Sequence, residues 1–113
     1  MLVYHVTQDW KEGEDLKAFA EMYPWNDETI ELLMKRASEM WHEVWTVEKC
    51  HEYYTHRGQQ IHLHETEDEA RKFAEEHGGC ILEIVVDGLE LKRNSENLCI
   101  DCVVPADHIR RIG

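Results

Sequence analysis

Three short stretches, far apart in the chain, carry side chains that could act together on a ligand: His5 beside Thr7 in Leu2-Val3-Tyr4-His5-Val6-Thr7, the pair His62 and His64 in Ile61-His62-Leu63-His64, and the carboxylates Glu96 and Asp101. An imidazole can hold a hydroxyl, a flat ring can stack on a planar heterocycle, and a carboxylate can stabilise the cation that develops when a leaving group departs. Brought into one cleft, such a set suits transfer at a glycosidic carbon. Each member also has a plainer role. A histidine inside an apolar strand is commonly a core residue hydrogen-bonded to backbone. His62 and His64 would share one strand face, where they are either solvated or, with His51, His56 or Cys50, a candidate zinc site. No family-grade metal spacing such as His-Glu-x-x-His accompanies them, so no metal is expected.

The remaining motifs narrow the chemistry. Gly-x-Gly-x-x-Gly, a Walker loop and a Gly-x-Ser-x-Gly elbow do not occur, so nucleoside triphosphate and acyl-transfer chemistry have no support. The cysteines are Cys50, Cys80, Cys99 and Cys102, too sparse for the disulfide framework of a small secreted domain, and free thiols are expected. Cys99 and Cys102, three apart in a strand, would point to opposite faces.

The elements that must position these groups follow from periodicity. Leu2 to Thr7 reads as a first strand. From Asp9 to Met22, apolar residues at Leu16, Phe19, Ala20 and Met22 suit a short helix, which Pro24 ends. Asn26 or Asp27 can cap a longer helix whose stripe is Ile30, Leu33, Met34, Ala37, Trp41, Val44 and Trp45; the Met and Trp residues are read as core packing. Lys35-Arg36 falls within that pattern and reads as a solvated face. Val47 to Gln60 reads as a frayed helix and loop, Ile61 to His64 as a half-buried strand, and Thr66-Glu67-Asp68-Glu69 as a capping box opening a helix to His77. Gly78-Gly79 closes that helix. Cys80 to Val86 is nearly all apolar and is expected to be a central strand, followed by a tight turn at Asp87-Gly88. A strand over Leu98 to Val104, then Pro105 and a short turn, leads to a last edge segment.

At 113 residues, one domain spanning 1–113 is expected. The formal charge of -12 opposes phosphate backbones, which argues against nucleic acid and leaves a basic protein as a conceivable partner. No apolar stretch approaches the ~20 residues needed to cross a bilayer. With no signal-peptide layout either, a cytoplasmic protein without membrane association is expected.

The order of the pieces resembles small ADP-ribosyltransferase-like domains: Val3-Tyr4-His5-Val6-Thr7, then Ile61-His62-Leu63-His64-Glu65-Thr66 leading into Glu69-Ala70-Arg71-Lys72-Phe73-Ala74, then Ile81-Leu82-Glu83-Ile84 and Val104-Pro105-Ala106-Asp107-His108-Ile109. The resemblance implies an α+β fold with a split β-sheet that clasps NAD, here with a long helix, residues 27 to 46, inserted after the first strand and helix. It implies that His5 holds the ribose and that backbone at Val6-Thr7 grips the nicotinamide amide. His62 stands where the family usually has a stacking tyrosine, and Tyr53 or Tyr54 could supply that ring. The nearest candidates for the catalytic carboxylate are Glu96 and Asp101. Val6 replaces a glycine often found after the first histidine, which narrows the nicotinamide pocket. The implied activity is transfer of ADP-ribose from NAD to an acceptor; the alternatives are a non-catalytic acidic module that binds or inhibits a basic protein, and a His-rich metal-binding protein.

Overall fold

The computed structural model describes residues 1–93 and 98–113, and the candidate carboxylate Glu96 lies outside the described residues. The architecture is mixed α+β, with two small antiparallel sheets and several helices. In the first sheet, β3 (Cys80–Val85) lies between β1 (Leu2–Thr7) and β6 (Ile109–Arg111). Its central place matches its composition: Leu82 and Ile84 have no exposed surface. Burying each such side chain contributes about 1.5–3 kcal/mol. In the second sheet, β5 (Leu98–Ile100) lies between β2 (Ile61–Leu63) and β4 (Lys92–Arg93).

The sheets meet at Tyr4 and His64, whose backbones exchange hydrogen bonds of 2.9 and 2.7 Å. This junction brings β1 and β2 side by side. One apolar core, including Val3, Ile61, Leu63, Leu82, Ile84 and Ile100, spans both sheets. A second cluster, around Phe19, Leu33 and Cys50, belongs to the helices.

The helical layer departs from the periodicity in two places. The segment after β1 is helical only over α1 (Phe19–Met22), because Gly13 takes φ +87° and Leu16 pairs in extended form with Val104. Helix α2 (Asp27–Trp41) begins as expected, with the Asn26 side chain accepting from the Thr29 amide at 2.9 Å. It stops five residues before the expected end at 46, where His42 adopts a left-handed conformation at φ 56° and the Glu43 amide returns to the Ala37 carbonyl at 3.1 Å. Val44, assigned to the apolar stripe, is consequently 97% exposed. Thr46 then caps a new helix, α3 (Val47–Thr55), by accepting from the Lys49 amide at 3.1 Å, and a 3-10 turn over Arg57–Gln59 carries the chain into β2. Helix α4 (Glu67–His77) has the expected Thr66 cap, bonded to the Glu69 amide at 3.2 Å.

Among the described residues, no helix is long and apolar enough to cross a membrane. The strand expected over Leu98 to Val104 ends at Ile100; all four cysteines are free, with Cys99 buried in β5 and Cys102 exposed in the bend that follows it.

Candidate functional site

Between the sheet core and the helical cluster lies a cavity of about 250 Å³. The C-terminal half of β1 borders it. Val3, His5 and Thr7 share a face; Val3 fills the core, and His5, Val6 and Thr7 line the cavity. From β2 come His62 and, just beyond the strand, His64. Two histidine segments separated by more than fifty residues therefore form one wall.

His5 is both a core-bonded histidine and a cavity residue. Its Nδ1–H donates to the His62 carbonyl at 2.6 Å, which fixes the ring's orientation. Burial lowers its pKa to about 4, against the opposing pull of that carbonyl, so the imidazole is neutral at neutral pH. His62 is positioned by backbone pairing of β2 with β5, where it stands opposite Cys99. Both of its ring nitrogens are buried and have no hydrogen-bond partner. Burial and then the charge of Arg57 lower its pKa, and the Arg57 backbone, near the ring but outside hydrogen-bonding geometry, partly offsets them. His64 packs its ring against Phe73 with centroids 5.1 Å apart, and burial lowers its pKa too, with Glu69 opposing.

The other polar group of the cavity is an ion pair between Asp9 and Arg36. Asp9, just past β1, accepts from the Arg36 guanidinium at 2.6 and 2.8 Å and from the Tyr23 hydroxyl at 2.8 Å. Burial pushes the Asp9 pKa upward, but these bonds and the Arg36 charge outweigh it and leave the carboxyl below its ordinary range. Arg36 is thus an inward-facing residue that ties α2 to the end of β1, where the charge pattern suggested a solvated face. The signal was present: Arg36 lies three residues after Leu33 and one before Ala37, on the side of the helix that those buried residues define.

Two assigned residues lie elsewhere. The Tyr54 hydroxyl donates to the Tyr23 carbonyl at 2.7 Å and its ring packs on Trp25 at 5.1 Å, so it braces the helices; the tyrosine lining the cavity is Tyr53. Successive helical residues point about 100° apart, which is why one of the pair enters the cavity and the other does not. Asp101 is exposed and does not line the cavity. It accepts from Lys92 at 2.5 Å and from Gln60 at 2.8 Å, and these bonds hold its pKa below the usual range. Gln60 does line the cavity, and so links Asp101 to its wall. Among the described residues, no group of three His, Cys, Asp or Glu side chains is arranged to hold a metal ion.

The arrangement offers neutral imidazoles, a flat phenol and a fixed ion pair around a partly apolar space. It can bind a planar ring and orient a hydroxyl. Comparison with family models, with curated proteins and with solved structures found no match to this chain.

Proposed function

We propose that the cavity binds the nicotinamide-ribose end of NAD and that the protein is an ADP-ribosyltransferase-like domain with a split β-sheet. The observation that carries this reading is the convergence of His5, Val6, Thr7 and His62 on one cavity. A space of about 250 Å³ suits the ring and its ribose, with the rest of the dinucleotide beyond its mouth. His5 orients the ribose through the ring nitrogen not engaged with His62. His62 or Tyr53 stacks on nicotinamide.

In transfer, the bond between ribose carbon and nicotinamide nitrogen breaks with its electron pair leaving on nicotinamide. A lone pair of the acceptor forms the new bond to that carbon, and the acceptor loses a proton. Asp101, linked to the cavity wall through Gln60, would stabilise the intervening positive charge. Asp9 is locked to Arg36 in a largely buried pair and does not serve, whereas Asp101, in an exposed pair with Lys92, would have to exchange that lysine for the ligand. Calorimetric titration with NAD, together with nicotinamide release in the presence of cell lysate, tests both parts. Binding without release or modified protein would remove the transferase reading and keep the binding one; absence of binding would remove both. His5→Ala should abolish both signals.

A second reading, recognition of a basic protein, rests on the charge of -12 and on the exposed acidic side chains Asp68, Glu69, Glu75 and Glu76 of α4. Such binding weakens steeply with salt and is indifferent to NAD.

A further inference from the structure

Acidic residues outnumber basic ones two to one in this chain, 24 against 12, yet the charged side chains lining the cavity are Lys17, Arg36 and Arg57 against Asp9 alone. Arg36 and Asp9 satisfy one another. Lys17 and Arg57 do not have that company: among the described residues neither takes part in an ion pair. Both are exposed, so their charge is available to a ligand at the mouth.

They also belong to adjoining segments. Lys17 stands two residues before Phe19, and Arg57 immediately precedes Gly58, where a Cβ would stand in ordinary contact, 3.8 Å, with the Phe19 ring. The same 3-10 turn leads directly into β2 and His62, whose two buried ring nitrogens lack partners. The cavity thus has neutral imidazoles in its wall and, among its lining residues, two cations outside any ion pair.

We infer that Lys17 and Arg57 form an anion subsite and that the site selects phosphorylated ligands, the phosphate next to the ribose being held by the Arg57 guanidinium with Lys17 as a second charge. The guanidinium fork matches phosphate oxygens in geometry, and its bonds to them are charge-assisted. This inference rests on the nicotinamide-ribose reading for the identity of the ring, but the anion subsite can be tested without it.

The experiment is an NMR titration at low ionic strength of the wild-type chain and the Lys17→Gln/Arg57→Gln variant with four probes: nicotinamide riboside, nicotinamide mononucleotide, NAD and inorganic pyrophosphate. Both substitutions are at exposed positions, and an unchanged Tm confirms that the fold is intact. The expected result is saturable pyrophosphate shifts at residues 57–62 in the wild type and not in the variant. The mononucleotide should bind about tenfold or more tightly than the riboside, as a charge-assisted contact predicts, and the variant should lose most of that difference. Equal affinity for riboside and mononucleotide would overturn the inference, as would pyrophosphate shifts that are absent or persist in the variant. If pyrophosphate binds as described and no nicotinamide compound does, the anion subsite stands and the NAD reading falls. If NAD binds with no phosphate preference, the reverse holds.

Discussion

His5 Nδ1 lies 2.6 Å from the carbonyl oxygen of His62, so the first strand of one sheet is fastened by an imidazole to the first strand of the other. The bond aligns two segments that line the cavity along their length, His5 to Asp9 and Gln60 to His64. It also ties the shape of the cavity to the protonation of His5, whose ring has been taken out of water.

Acidification should therefore loosen the fold. The folded pKa of His5 is about 4 against an ordinary 6.5, so the unfolded chain takes up the proton first as pH falls. The stabilisation is complete above pH 6.5 and is lost as pH drops toward 4, an effect of about 3 kcal/mol from this residue. His62 and His64 shift in the same direction and add to the trend. Urea unfolding at pH 7 and at pH 4.5 should show a smaller loss for His5→Gln than for the wild type. Equal losses would show that another group governs the acid transition.

Arg36→Leu should destabilise the protein by about 3 kcal/mol, because it leaves the Asp9 carboxylate unpaired with only 11% of its side chain exposed. Adding Asp9→Leu should restore part of that loss, since the variant pair leaves no lone charge. Denaturation midpoints of the single and double variants measure this. A double variant less stable than Arg36→Leu would contradict it.

Gly79→Ala should cost at least about 1 kcal/mol, because φ +107° strains any residue with a Cβ. The new atom would also stand 3.0 Å from the Thr7 carbonyl oxygen and 3.1 Å from Val6 Cγ1. Those are cavity residues, so chemical shifts at Val6 and Thr7 should move along with the lower Tm. A Tm within error of the wild type would show that the turn relaxes freely.

The strands and caps were legible because they are local. Leu2 to Thr7, the Thr66 cap of α4 and the apolar β3 each follow from neighbouring residues. The end of α2 was not, because the apolar stripe continues past Trp41 while the backbone turns left-handed at His42, after which Trp45 stacks on Trp41 at 5.9 Å. A ring that folds back onto the helix keeps the periodicity that a continuing helix would have. In the site, each histidine segment announces itself as a strand, but the Asp9–Arg36 pair joins positions 27 residues apart, and spacing carries no such information. Tyr53 and Tyr54 are adjacent and chemically alike, and only tertiary packing separates a cavity residue from a brace.

In the NAD reading, His5 and His62 face the ligand together. Its most direct measurement is the response of the histidine ring nitrogens, followed by ¹⁵N NMR at pH 7.5, to added NAD. Saturable shifts of the His62 nitrogens are expected, with smaller ones at His5, while the exposed rings of His51 and His56 stay in place. Saturation with NAD that leaves His62 unmoved, or shifts confined to the exposed histidines, would contradict it.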